Sequence, residues 1–208
     1  MAEAQSTPRT IYIDVLSLSP YVAYIPDFLD DAECEHLVEN ARAKVTRSVT
    51  VDAATGKLVE VETRSSDTMF FTRGETPVVK TIEERIAQLT RTPVTHGEGL
   101  QVIRYLPGQE YQAHFDFFDP DLPGSRVVAE HGGQRVLTMI MYLNDVEAGG
   151  ETHFPEIGLT VSPRKRAAVL FYDCTPAGEI DRRTLHAGMP VVAGEKWIST
   201  KWVREHEY

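Results

Sequence analysis

The sequence predicts a mainly β protein: a double-sheet barrel of jelly-roll type with flanking N-terminal helices packed on one sheet. Three observations carry this. From Leu100 onward the chain reads almost entirely as short strands. Turns punctuate those strands at Pro107-Gly108, Gly149-Gly150 and Ala193-Gly194. The clear helical periodicities lie in the first ninety residues. A chain of 208 residues has room for one domain with a sizeable core. The expected division is a strand core over about 98–205, supported by the helices and a hairpin across 9–97.

Short strands are expected near residues 11–16 and 21–25. Asp30 and Asp31 then offer N-caps to a helix whose apolar face is Cys34, Leu37, Val38 and Ala41. Residues 45–51 and 58–63 flank a polar turn at 52–57 and read as a hairpin. A second helix begins with Thr76 as cap and Pro77 at its first position, burying Val78, Val79, Ile82, Ile86 and Leu89. The remaining strands are expected at 100–106, 111–117, 135–144, 152–154, 167–172, 184–189 and 197–203. Residues 118–134 break this rhythm: with Pro120, Pro123, Gly124, Gly132 and Gly133 and no clear periodicity, they read as a long loop, either a lid or a plain insertion.

Composition excludes several functions. Hydrophobic residues make up 42% and charged residues 25%, with no apolar run of membrane-spanning length. Residues 1–8 are small and polar, unlike a secretory signal, so a cytoplasmic location is expected. Two distant cysteines, Cys34 and Cys174, offer no disulfide framework. A formal net charge of −10 argues against nucleic-acid or anionic-membrane partners, which need a positive field. The one basic cluster, Arg164-Lys165-Arg166, reads as a solvated hairpin turn. Net acidity still permits an anionic ligand where one buried cation is aimed at it.

The central chemical signal is His114-Phe115-Asp116. On a strand, alternate residues share a face, so this imidazole and carboxylate project together while Phe115 turns away. A second imidazole must come from another strand, and His186 sits in one. Two histidines and one carboxylate on one face of an octahedron leave positions open for a bidentate 2-oxoacid and dioxygen, as in non-haem iron oxygenases. His96, His131, His153 and His206 read as surface or structural residues. Ten residues after His186, beyond the Gly194 turn, comes Lys196. If 184–189 and 197–203 are neighbouring antiparallel strands, its ammonium returns beside the metal and clamps the far carboxylate of 2-oxoglutarate.

These residues resemble the prolyl 4-hydroxylases, the catalytic domain of the collagen enzymes and their plant, algal and bacterial relatives. The resemblance is carried by Gln101-Val102-Ile103-Arg104-Tyr105, Gly108-Gln109-Glu110-Tyr111 and His114-Phe115-Asp116-Phe117-Phe118. It continues through Tyr142-Leu143-Asn144-Asp145-Val146, Gly149-Gly150-Glu151-Thr152 and the block from His186 to Trp202. It implies a double-stranded β-helix in which His114, Asp116 and His186 bind Fe(II). It further implies that Lys196 holds 2-oxoglutarate with the hydroxyls of Tyr105 and Thr152, and that Tyr111, Arg135 and Trp202 surround the target proline. The implied reaction hydroxylates a prolyl residue in a peptide or protein, consumes O2, releases succinate and CO2, and takes ascorbate as reductant. No separate peptide-binding domain or secretory signal is read, so collagen itself is not the expected substrate. Hydroxylation of a free amino acid or small metabolite is the alternative. A zinc hydrolase or a cupin-like metal-binding module without oxygenase activity is a third reading, though zinc would give Lys196 no dicarboxylate to bind. Oligomeric state is not legible.

Overall fold

The structure, a computed structural model, describes residues 10–52 and 54–208; the polar N-terminus over 1–8 and Ala53 of the hairpin turn lie outside the described residues. Strands β1 (Asp14–Leu18) and β2 (Tyr21–Ile25) form an antiparallel pair. Helix α1 (Asp31–Arg42) starts at Asp30, whose carboxylate accepts from the Glu33 amide while the Glu33 carboxylate accepts from the Asp30 amide. This reciprocal cap satisfies two otherwise orphaned donors. Four short strands follow: β3 (Thr46–Arg47), β4 (Thr50–Val51), β5 (Leu58–Val59) and β6 (Asp67–Phe71). Helix α2 (Pro77–Thr90) is capped by the Thr76 hydroxyl, with Pro77 at its first position as expected. Then come β7 (Leu100–Tyr105), β8 (Tyr111–His114), helix α3 (Pro123–Ala129) and β9 (Arg135–Tyr142). The chain continues as β10 (Ala148–Gly149), β11 (Thr152–Phe154), β12 (Leu159–Val161) and β13 (Ala168–Tyr172). It ends with β14 (His186–Gly188), β15 (Val191–Ala193) and β16 (Lys196–Arg204).

Two sheets make the jelly roll. The larger runs β1-β2-β13-β9-β16-β7-β6-β3 and the smaller β12-β11-β14-β8, with no ladder among the described residues closing one onto the other. Strand periodicity divides the larger sheet's two faces. On β9, Leu137, Met139 and Met141 pack with Leu37, Val79 and Ile82 of the helices, whereas Ile140 and Tyr142 point toward the smaller sheet. On β7, Leu100 and Val102 join the helix side, and Ile103 and Tyr105 the other. The helices therefore seal one face and leave the other for chemistry.

One polar contact crosses the helix side. Lys201 of β16 reaches Glu83 of α2 at 2.5 Å, with both side chains almost fully buried, and also donates to the Glu98 carbonyl. Gly97 lies so close that a Cβ there would overlap the Lys201 side chain. Breaking one half of a buried pair strands the other charge in a medium that solvates it poorly. Glu83→Ala is expected to cost about 3–5 kcal/mol in chemical denaturation, while Glu83→Leu combined with Lys201→Met recovers most of it. Equal stability of the single and double variants would refute the pairing argument.

The structure corrects several expectations. Strands β6, β10, β12 and β15 lie outside the expected set, being only two to five residues long. The segment 118–134 is not structureless, for it contains α3. Its neck is tied by Gln134, whose side chain accepts from the Phe118 amide and donates to the Phe118 carbonyl. Arg204 further pins it through the carbonyls of Val128 and His131. The strand carrying His114 ends at that residue, so Asp116 lies just beyond it. Most consequentially, β14 and β16 are not neighbours: β14 belongs to the smaller sheet between β11 and β8, and β16 to the larger between β9 and β7. The basic cluster is a turn, but not merely a solvated one, because Lys165 pairs with Asp31 and Glu35 and Arg166 with Asp27. Both cysteines are free.

Candidate active site

His114, Asp116 and His186 converge, with one ligand atom from each lying within 4.8 Å of the others. The antiparallel register pairs His186 directly with His114 across β14 and β8. Each ring binds a backbone carbonyl through Nδ1, His114 to Gln112 at 2.8 Å and His186 to Thr184 at 3.0 Å. That fixes both rings with Nε2 facing the Asp116 carboxylate, at 3.7 Å for His114 and 3.6 Å for His186. Sequence could not name these carbonyl partners, which set ring orientation at a metal site. Burial and the neighbouring His186 press the His114 imidazole down to about 3, leaving it neutral with a free lone pair. Burial works to raise the Asp116 carboxyl, but the two imidazoles and Arg135 outweigh it and hold it at about 2. Two imidazoles and one carboxylate, spaced for bonds of about 2 Å to a shared ion, fit a divalent iron of the facial two-histidine type.

Beside this trio lies a narrow cavity of about 40 Å³. Lys196, Tyr105 and Thr152 line it, so all three predicted cosubstrate residues meet there. They arrive by different routes: Tyr105 and Lys196 face each other across β7 and β16, and Thr152 comes from the opposing sheet. Lys196 therefore reaches the metal trio across the barrel rather than along one sheet. It is 2% exposed, and no carboxylate among the described residues lies within ion-pair distance of it. Burial lowers its ammonium to about 8, only partly offset by Glu151. Gly150, at φ 75°, lets the chain pass close to it, since a Cβ there would lie 3.1 Å from Lys196 Cδ. The Thr152 hydroxyl shares a 2.8 Å hydrogen bond with Tyr142. An uncompensated buried cation is costly unless a ligand arrives to pair with it.

The sequence pattern of the 2OG-Fe(II) oxygenase superfamily matches residues 100–204. A probable prolyl 4-hydroxylase 3 of Arabidopsis thaliana is 40% identical over 216 residues, spanning 95% of this chain and 74% of its own. The chain belongs to the prolyl 4-hydroxylase family. Prolyl 4-hydroxylase 5 of the same plant is 39% identical, over 95% of this chain and 72% of its own. Among solved structures, the viral collagen prolyl hydroxylase of Paramecium Bursaria Chlorella virus-1, in its 2OG complex, superposes with a TM-score of 0.68 at 30% identity. That match covers 88% of this chain and 95% of the viral one. As a member of this family the protein is a 2-oxoglutarate-dependent dioxygenase that uses Fe(II), 2-oxoglutarate and O2. The zinc-hydrolase and inert-module readings fall away.

From the cavity of this prolyl 4-hydroxylase-family enzyme a groove of about 490 Å³ leads outward. Tyr111, Arg135 and Trp202 all line it, and Tyr111 and Trp202 also border the cavity. Tyr111 stacks on His114 with ring centroids 3.5 Å apart. Arg135 is already engaged within the protein. Its Nε and Nη2 are bound to the Glu98 carboxylate at 2.7 and 2.9 Å, and its guanidinium lies 3.8 Å from the Trp202 ring centre. It braces the groove wall. The groove also carries residues not singled out beforehand for binding. Arg64 is 5% exposed, stacks over Tyr111 at 4.8 Å and borders cavity and groove alike. Its Nε and the Gln101 side-chain carbonyl are buried without hydrogen-bond partners, and the Trp202 indole N–H is directed at the Asp116 carboxylate. Phe115, read as turned away, lines the groove and stacks on Phe117. Local pattern could not flag Arg64, which sits in an irregular stretch and reaches the site through one bridge to Tyr111.

Proposed function

We propose that the enzyme hydroxylates a prolyl residue of a peptide or protein at a centre where His114, Asp116 and His186 hold Fe(II). Bound there, Fe(II) supplies the chemistry by which O2 and 2-oxoglutarate are converted to succinate, CO2 and a hydroxyl group on the substrate. The observation that carries this reading is the continuity of two spaces of unequal size: a narrow cavity ending at an unpaired buried lysine, and a wide groove flanked by Tyr111 and Trp202. A small dicarboxylate fits the first and a chain fits the second.

The roles follow from the side chains. Lys196 neutralises the far carboxylate of 2-oxoglutarate, with the Tyr105 and Thr152 hydroxyls as hydrogen-bond partners. Ile103, Ile140 and Ile198 line the same cavity and keep water from it. Tyr111 and Trp202 offer aromatic faces against which a proline ring packs well. Arg64 Nε, unsatisfied and bordering the groove, is suited to a peptide carbonyl. The names of the Arabidopsis relatives support the prolyl target. The alternative substrate, a free amino acid, would leave most of the groove empty.

Incubating the enzyme with Fe(II), 2-oxoglutarate, ascorbate and either proline-containing peptides or free amino acids tests this. Peptides are expected to gain one oxygen, mapped to proline by fragmentation mass spectrometry. Hydroxylation of free proline alone would overturn the peptide reading and leave the dioxygenase intact.

A further inference from the structure

Asp173 lies just past the end of β13, next in the inward series Val169, Phe171, Asp173, and is fully buried. The Thr138 hydroxyl of β9, also fully buried, stands 2.9 Å from Asp173 Oδ2 and 2.9 Å from Asp116 Oδ2. A threonine hydroxyl carries one hydrogen and can donate only once. Two ionised carboxylates on one hydroxyl would leave one contact with no hydrogen at all. One of the two acids must supply it.

The surroundings decide which. Asp116 is the assigned metal ligand, a role that needs its carboxylate form, and its oxygens face Nε2 of His114 and His186 at 3.7 and 3.6 Å. Asp173 makes no ion pair among the described residues, and the nearby Arg135 fork is committed to Glu98. Its Oδ1 has no partner, a tolerable state for the carbonyl oxygen of a neutral acid and a costly one for a buried carboxylate. Burial, then the charge on Asp116, pushes the Asp173 carboxyl well above its ordinary range.

We propose that Asp173 is a permanently protonated positioning residue: its Oδ2–H donates to the Thr138 hydroxyl, which in turn donates to Asp116 and fixes the orientation of that carboxylate toward the metal. The chain of donors runs one way, from a neutral acid through a hydroxyl to a charged ligand. This rests on the assignment of Asp116 as a metal ligand.

Two measurements test it. An infrared difference spectrum of the wild-type protein against Asp173→Asn is expected to contain the carbonyl band of a neutral carboxylic acid at neutral pH; carboxylate bands in its place overturn the proposal. Anaerobic titration with Fe(II) is the second. Asp173→Asn keeps a donor, its side-chain amide, and is expected to bind Fe(II) within about threefold of wild type. Asp173→Ala and Thr138→Val break the chain and are expected to weaken binding by about 10–100-fold. Undiminished affinity in both, or an Asp173→Asn as weak as Asp173→Ala, would overturn it. The infrared result stands even if Asp173→Ala does not fold. Failure of the metal assignment itself is distinguishable, since Fe(II) affinity would then survive Asp116→Ala.

Discussion

His186→Ala is expected to abolish 2-oxoglutarate turnover, a loss of at least about a thousand-fold, or on the order of 4 kcal/mol of barrier. The imidazole is 3% exposed, tethered by Nδ1 to the Thr184 carbonyl, and packed by Phe171 at 4.8 Å and Phe154 at 5.7 Å. Its removal leaves an apolar hollow that provides no substitute donor. Two ligands would remain, His114 at the end of β8 and Asp116 just beyond it, too few to hold the ion in place. Succinate production reads the loss, and the visible charge-transfer band of the anaerobic Fe(II)–2-oxoglutarate complex reads its cause. Turnover close to wild type would sink the ligand assignment.

Lys196→Ala is expected to raise the 2-oxoglutarate requirement by about 30- to 3,000-fold, corresponding to about 2–5 kcal/mol for one half of a desolvated charge pair. Fe(II) affinity should change little, because Lys196 acts at the far end of the cosubstrate. The same residue gives a pH signature. Burial holds its amine at about 8, below the usual lysine range, so in the free enzyme the charged form is complete only below that value. A dicarboxylate binds the ammonium, not the amine. Affinity for 2-oxoglutarate is therefore expected to fall as pH rises through about 8, and binding at that pH to take up protons from solvent. Calorimetry in buffers of different ionisation enthalpy measures that uptake. A cosubstrate requirement unmoved by the substitution would remove Lys196 from the anchor role.

Much of this was legible in the residue order because strands state their faces in alternation. On β16, Lys196, Ile198, Thr200 and Trp202 alternate onto the cavity, and His114 and Asp116 reach one site although β8 ends at His114. Helix ends were equally readable, since Asp30 and Thr76 act through bonds only three residues long. What failed was pairing. The expectation that β14 and β16 lie side by side assumed that consecutive strands are adjacent, whereas the chain passes through β15, paired with β10, and changes sheet. Convergence on the cavity survived because side chains from two facing sheets, about 10 Å apart, fill the same space between them. Arg135 illustrates a second limit: its partner Glu98 is 37 positions distant, and no local pattern reveals their bond. Asp173 and Thr138 were invisible for the same reason, being 35 positions apart in sequence and 2.9 Å apart in space.

Every residue of β16 is buried, and the strand is hydrogen-bonded on both sides, to β7 and β9. The hairpin β4–β5, which borders the outer groove, is held by two residue pairs. Amide exchange follows such differences, fastest where few bonds must open and slowest where the whole sheet must. Lys196, the proposed anchor of 2-oxoglutarate, is thus expected to lie in a segment that exchanges more slowly than the groove rim. Such a division lets the entrance breathe around successive substrates while the reacting groups keep their spacing.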